Sequence, residues 1–264
     1  MARILVTGST SGIGLETART LRGLGHDVVW HARSRERAAD LPSDAEVVVG
    51  DLASLAQTRE LAGAAGHCDV VIHNAGVNWE NERRETGDGI ERIFQVNVLA
   101  PYVLTALMPR PRRLVYLSSS LESGGVADLA DLQYRAKPWD GRQAYSDSKL
   151  HDVALAWAVA RRWPDVYSNA VDPGWVRTRL GGPYAIDDLP TGADTQVWLA
   201  TGVGGALVSG RYFKRRKVQR PNPAAGDVRY QDGLLRACAE LSGVELPVAA
   251  GSPESGDDGS PSRQ

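Results

Sequence analysis

Tyr145 and Lys149 stand four residues apart in Tyr145-Ser146-Asp147-Ser148-Lys149, at the head of a long amphipathic run. On a helix that spacing puts the phenol and the ammonium on one face, one turn apart. A cation held beside a tyrosine favours the phenolate and lowers a pKa otherwise near ~10, which makes the phenol a general acid/base close to neutral pH. Tyr-x-x-x-Lys arises often by chance, but a chain with only four lysines has placed one of them here.

A second constellation lies at the start of the chain, in Thr7-Gly8-Ser9-Thr10-Ser11-Gly12-Ile13-Gly14, between an apolar run and a helical pattern. There Gly8 lets the chain turn off a strand, Gly12 lets backbone amides approach a pyrophosphate, and Gly14 lets helix and sheet pack closely. The helix N-terminus then faces the phosphates. The spacing is G-x-x-x-G-x-G rather than the commoner G-x-G-x-x-G, and a Gly/Ser-rich turn without a ligand would use the same residues. After the second apolar run, where an Asp or Glu would take a ribose 2′-hydroxyl, the chain reads Trp30-His31-Ala32-Arg33-Ser34-Arg35. With no carboxylate there, the planar Arg33 fork suits a 2′-phosphate and favours NADP(H) over NAD(H). The alternative is one arginine among 26 on a solvated surface.

These groups need a scaffold, and the apolar runs supply its outline. Strand-like segments at 3–7, 27–31, 45–50, 70–73, 113–118 and 166–172 alternate with helix-length stretches. That alternation predicts a doubly wound α/β fold, a parallel sheet of about seven strands with helices on both faces. Between the first two runs, Ile13, Thr17 or Ala18, Leu21 and Leu24 recur at helical spacing and Gly25 follows as a stop. The expected organisation is one domain over residues 1–250, then a disordered tail over 251–264, which holds no aliphatic or aromatic residue.

Composition narrows the function. Thirty Lys+Arg against 32 Asp+Glu leave a formal charge of −2, which offers no global field for nucleic acid or an anionic membrane. No apolar run approaches the ~20 residues of a membrane span, and the first strand begins too early for a signal peptide, so a cytoplasmic protein is expected. Cys68 and Cys238 form neither a disulfide framework nor a ligand spacing. His67, His73 and His151 likewise show no metal pattern, and no metal is expected.

Taken in order, the motifs resemble the short-chain dehydrogenase/reductase family over nearly the whole chain. The loop Thr7 to Gly14 is similar to its T-G-x-x-x-G-I-G, Asp51-Leu52 to its adenine-contacting Asp, and Asn74-Ala75-Gly76 to its N-A-G. Asn97 resembles the helix asparagine of the catalytic tetrad, Ser118-Ser119 the serine pair, and Pro173-Gly174-Trp175-Val176-Arg177-Thr178 the segment at the nicotinamide end. The resemblance implies a Rossmann fold and a catalytic set of Asn97, Ser119, Tyr145 and Lys149. It also implies cofactor contacts from Gly8, Ser9, Thr10, Gly12, Ile13, Gly14, Arg33, Asp51, Leu52, Asn74, Ala75, Gly76, Tyr145, Lys149, Pro173, Val176 and Thr178. In that scheme a hydride passes between nicotinamide and a carbonyl or alcohol carbon, Tyr145 moves the proton, Ser119 holds the oxygen, and Asn97 anchors a water linked to Lys149.

Within the family, Asp131-Leu132-Gln133 and Ser209 to Lys214 resemble the retinol-dehydrogenase-like branch, without its N-terminal anchor. The family pattern places Trp79, Trp139 and Trp175 in loops around the substrate, and a short, mobile lid over 180–190. It suggests that the stripe Leu150, Val153, Ala154, Trp157 and Ala158 partly meets a second subunit in a homodimer or homotetramer. A non-catalytic NADP(H)-binding regulator is the competing expectation, although such proteins generally lose the Tyr/Lys pair. A sugar-nucleotide epimerase would need a larger C-terminal domain than residues 180–250 provide. One feature exceeds the family pattern: Arg211 to Arg220 holds six basic residues in ten, with Lys214 to Lys217 expected to project together, either as a plain solvated surface or to attract an anion.

Overall fold

Ile4, Leu5 and Val6 of the first strand are all inaccessible to solvent, as expected of a strand covered on both faces. In the computed structural model, which describes residues 1–248, this strand β1 (Arg3–Val6) is central to one sheet. After it come α1 (Gly12–Gly23), β2 (Asp27–Ala32), α2 (Arg35–Ala38), β3 (Glu46–Val49), α3 (Leu55–Ala65) and β4 (Val70–His73). A second half follows with α4 (Arg92–Phe94), a π-helical stretch Gln95–Leu99, α5 (Ala100–Leu107), β5 (Arg113–Leu117), α6 (Gly141–Arg162) and β6 (Tyr167–Asp172). It closes with α7 (Leu189–Thr201), β7 (Arg211–Lys214), β8 (Lys217–Val218) and α8 (Val228–Ser242).

The strand order is β3-β2-β1-β4-β5-β6-β7-β8, with β1 parallel to both β2 and β4. Alternate residues of β1 enter opposite layers: Leu5 joins the core under α3, α5 and α6, while Ile4 and Val6 join the core under α1 and α7. The doubly wound sheet is as expected, but it has eight strands rather than about seven. The addition is the two-residue β8, paired antiparallel to β7 in the register Lys214↔Lys217, too short and too polar to be read as a strand.

α6 is 22 residues long and starts at Asp140, whose side chain accepts the Gln143 amide at 3.0 Å. One side lies against the sheet and α8 covers another, so Leu150, Val153, Ala154 and Ala158 are fully buried within the single chain and Trp157 packs against the same core. Four residues of the stripe expected to meet a partner are therefore buried within this chain, and Trp157 remains half-buried. The tail expected at 251–264, and the last two residues of the expected domain, lie outside the described residues. Among the described residues no helix is long and apolar enough to cross a membrane.

Candidate active site

The strand order reverses between β1 and β4, and the crevice at the carboxyl ends of such neighbouring strands is where open α/β sheets take ligands. The glycine loop leaves β1 there, and Asn74-Ala75-Gly76 leaves β4 beside it. Gly8 and Gly12 have φ of +66° and +58°, a region that side chains rarely adopt. A Cβ on Gly14 would run into the Asn74 amide and the Gly8 carbonyl. Ser11 precedes α1 without a side-chain cap, and the first turn carries no acidic residue, so its amides remain available to an anion. That arrangement fits a dinucleotide pyrophosphate.

Several expected cofactor residues turn out to be struts of this loop. Thr7 Oγ1 accepts the amides of Asn74 and Ala75 at 2.9 and 3.0 Å, and Asn74 Nδ2 donates to the Thr7 carbonyl at 2.8 Å. Ser9 is fully buried: its amide donates to the His31 carbonyl and its hydroxyl accepts the His31 amide. Neither group of Ser9 is free for a phosphate. His31, which motif reading passed over, accepts the Gly8 amide on Nδ1 at 2.9 Å and meets the Gly50 carbonyl through Nε2 at 2.8 Å. A carbonyl only accepts, so Nε2 carries the proton and the ring is neutral. Burial depresses its pKa below the usual histidine value, against the opposing pull of the Gly50 carbonyl and Asp51.

Around this loop, Thr10 and Ile13 lie half-buried at the crevice, Leu52 is buried, and Asp51 accepts the Ala53 amide at 2.9 Å. Arg33 is exposed just beyond β2 and makes no ion pair among the described residues. On the other side, Gly12 faces the Thr178 methyl, so the glycine loop and the expected nicotinamide segment flank one space. Val176 is buried and forms a parallel bridge with Asp187, whose carboxylate accepts the Trp175 amide at 2.9 Å. Pro173 is half-buried at the start of that segment.

Tyr145 and Lys149 project from the first turns of α6. The ammonium lies 5.7 Å from the centre of the phenol ring, and Tyr145 is only 6% exposed. Lys149 Nζ donates to the Leu117 carbonyl at 2.9 Å and to Asp152 Oδ2 at 2.8 Å. The serines after β5 take three different places. Ser118 is buried with its hydroxyl donating to the Lys149 carbonyl, Ser119 is half-buried with its hydroxyl accepting the Leu121 amide at 3.3 Å on the side of the Tyr145 phenol, and Ser120 is exposed. Asn97 sits in the π-helical stretch, its Oδ1 accepting the Val77 amide at 2.8 Å and its Nδ2 donating to the Val77 carbonyl and Ser148 Oγ. A Cβ on Gly76 would lie 3.4 Å from Asn97 Oδ1 and 3.8 Å from Lys149 Nζ, so the N-A-G turn, the asparagine and the lysine converge.

Electrostatics modify the simple expectation for Tyr145. Burial pushes the phenol above its ordinary pKa; Lys149 pulls it down, Asp152 pushes it up, the Ser119 hydroxyl lowers it and Asp172 raises it. The net direction is upward, opposite to the expected depression, because burial outweighs the lysine. Among the tryptophans, Trp79 meets the Tyr145 ring edge-on at 5.9 Å and is about half-exposed, and Trp175 donates to the Gly181 carbonyl. Trp139 instead packs against Tyr134 and donates to the Glu80 carbonyl.

The basic cluster does not project as a free cationic patch. Lys214 pairs with Asp172 at 2.7 Å, Arg215 with Asp187 at 2.6 Å, and Arg216 with Asp194. Three of its six charges are thus spent on acids of β6, the lid and α7. Arg215 and Arg216 form the turn between β7 and β8 at φ of +49° and +58°, a strained conformation for side-chain-bearing residues that these pairs help to hold. The lid expected at 180–190 is fastened by the Val176–Asp187 bridge and by Asn78, which donates to the Leu180 carbonyl at 3.1 Å. Leu180, Tyr184 and Ile186 remain exposed on it.

Comparison with known proteins agrees with this geometry. A family model described as short chain dehydrogenase matches residues 2–187. A short-chain dehydrogenase of Penicillium rubens, chyC, is 41% identical, with 94% of this chain and 100% of that protein covered. Human retinol dehydrogenase 13 is 31% identical over 92% of this chain and 85% of its own length. The crystal structure of an uncharacterised Mycobacterium paratuberculosis protein superposes with a TM-score of 0.83 at 26% identity, covering 94% of this chain and 96% of that one.

Proposed function

This chain belongs to the short-chain dehydrogenase/reductase family and resembles its retinol-dehydrogenase-like branch, and from that premise we propose that it is an NADP(H)-dependent oxidoreductase acting on a small carbonyl or alcohol substrate. The observation that carries the reading is the buried Tyr145 phenol with the Lys149 ammonium 5.7 Å from its ring centre, one turn away on the same helix. The bound nicotinamide supplies or accepts the hydride.

The chain's own residues do the rest. In the reducing direction Tyr145 gives its proton to the oxygen that develops negative charge, and a phenol kept protonated by burial is suited to that role. Ser119 orients the same oxygen through its hydroxyl. Lys149 keeps a positive charge beside the phenol once its proton has left. Asn97 has both Nδ2 hydrogens committed to Val77 and Ser148, so a water linking it to Lys149 would donate to Oδ1 or to the backbone carbonyl. Gly8, Gly12, Gly14 and the α1 amides would hold the pyrophosphate, Arg33 the 2′-phosphate, and Val176 and Thr178 the carboxamide end. Trp79, edge-on to the phenol, forms one wall of the substrate space. The reading includes a cytoplasmic location, in keeping with Cys68 and Cys238 both buried and free.

The test is Tyr145→Phe assayed with NADPH against a panel of ketones and aldehydes. Turnover should fall by about 10²- to 10⁴-fold while the calorimetric affinity for NADPH stays within about twofold, since the ring remains and only the transferable proton is removed. Retention of most activity would overturn the mechanism, and NADPH binding with no turnover on any substrate would point to the regulator instead.

A further inference from the structure

Lys149 has no room to adjust its charge with solvent. Its side chain is 7% exposed, and an ammonium buried without a partner gives up its proton readily. The partner is Asp152, one turn further along α6, with a side chain 3% exposed and Oδ2 at 2.8 Å from Nζ. The Leu117 carbonyl, at the end of β5 and just before Ser118-Ser119, takes a second ammonium hydrogen at 2.9 Å. An ammonium has three donors, so one is left.

The other titratable groups around this pair come from each element packed on α6. Tyr116 of β5 is buried and held as a neutral phenol by burial. Asp172 of β6 is paired with Lys214 of β7 at 2.7 Å. Glu122, in the turn after Ser119, accepts the Asn222 amide at 2.9 Å and is itself pushed up by burial. His151 of α6 meets Tyr230 of α8 and is held neutral by burial. Asp152 is therefore the carboxylate in direct contact with Lys149, and the one available to keep it charged.

We propose that Asp152 is a positioning residue of this site, a buried carboxylate that keeps the Lys149 ammonium protonated and fixed between the Leu117 carbonyl and the Tyr145 ring. The inference rests on the oxidoreductase reading for its consequence, but the ion pair can be tested without turnover. Burial drives the lysine towards its neutral form, and Asp152 with the nearby phenol more than compensates, leaving Lys149 above its ordinary pKa. Asparagine at 152 keeps an oxygen for Nζ and removes the charge; glutamate keeps the charge and changes its reach.

The chain has four lysines, Lys137, Lys149, Lys214 and Lys217, so carbon-13 labelling at lysine Cε gives four resonances, and the one lost in Lys149→Met is assigned. In the cofactor-free protein, Asp152→Asn should lower the Lys149 titration midpoint by about one pH unit or more, with Asp152→Glu restoring part of it. With NADPH and a carbonyl substrate, the alkaline limb of the kcat profile should move to lower pH in Asp152→Asn and return partly in Asp152→Glu. A Lys149 midpoint unchanged in a folded Asp152→Asn variant, or a drop in melting temperature with no movement of that resonance, would overturn the proposal and reduce Asp152 to packing. If Asp152→Asn does not fold, Asp152→Glu decides: a Lys149 midpoint identical to the parent's together with an unmoved kcat profile overturns the proposal, and a displaced midpoint supports it. NADPH binding with no turnover on any carbonyl or alcohol would instead sink the oxidoreductase reading while leaving the Lys149 titration result standing.

Discussion

Side-chain chemistry in this protein depends on which polar atoms remain uncommitted. Ser118 spends its hydroxyl on the Lys149 carbonyl, which leaves Ser119 to face the phenol, and Ser9 spends both of its polar groups on β2. Arg33 is the opposite case, an exposed guanidinium with no ion pair among the described residues, at the position proposed for a 2′-phosphate. If that is its role, the parent protein should bind NADP(H) at least about tenfold more tightly than NAD(H), ~1.4 kcal/mol, within the range of one charge-assisted contact. Arg33→Asp should invert the order by repelling the phosphate and offering a carboxylate to a ribose hydroxyl. Equal calorimetric affinities in the parent would remove Arg33 from the site.

Among the elements, the β1–α1 unit shows how a loop of small residues is made rigid. Its glycines permit the turn, but Thr7, Ser9, His31 and Asn74 hold it against β2 and β4. His31 makes this dependent on pH. Protonation at Nδ1 would turn the acceptor of the Gly8 amide into a second donor and repel Gly8 from β2. Cofactor affinity should therefore fall with acidification, on the acid side of the ordinary histidine value, because burial lowers the pKa of this ring. Calorimetry across pH on the parent and on His31→Gln cancels the cofactor's own titration; the variant should bind more weakly near neutrality and lose the His31 step. Parallel curves would show that His31 is only packing. The β7–β8 turn is a second element held by specific pairs, and its ion pairs to Asp172, Asp187 and Asp194 tie the end of the sheet to the segment over the site.

For the molecule as a whole, the buried histidines couple stability to pH. His73 is buried in β4 against Tyr116, with Nδ1 lacking a partner among the described residues and Nε2 meeting Thr105 Oγ1. Burial lowers its pKa from 6.5 to about 3. Between those values the unfolded chain binds the proton and the folded one does not, so stability is full above 6.5 and is lost as pH falls towards 3. Each pH unit in that window costs about 1.4 kcal/mol, so His73 accounts for about 2 kcal/mol between pH 6.5 and 5. Raised carboxyls such as Glu91 and Glu122 act in the opposite sense, which makes a single-site comparison the useful one. His73→Phe keeps the ring and removes the orphaned nitrogen; its denaturant-derived stability should lose about 2 kcal/mol less than the parent's between pH 7 and 5. An equal acid dependence in both proteins would contradict the assignment.

The amino-acid sequence by itself determined the alternation of strands and helices, the glycine loop, the Tyr145/Lys149 spacing and the family, because each rests on local periodicity or on a short run of residue types. It did not contain the strand β8, whose two residues are ordered only by pairing with β7, nor the covering of the α6 stripe, since α8 lies some eighty residues further along the chain. Local spacing likewise cannot report what a side chain is committed to. His31 became part of the cofactor loop because parallel pairing of β1 with β2 sets it beside Gly8, and the basic cluster lost its free charge because the sheet edge folds onto Asp172, Asp187 and Asp194. The ionisation of Tyr145 is the clearest instance. The lysine one turn away is legible from spacing, but the burial that outweighs it arises from packing across segments distant in sequence, and desolvation has no signature in a local motif.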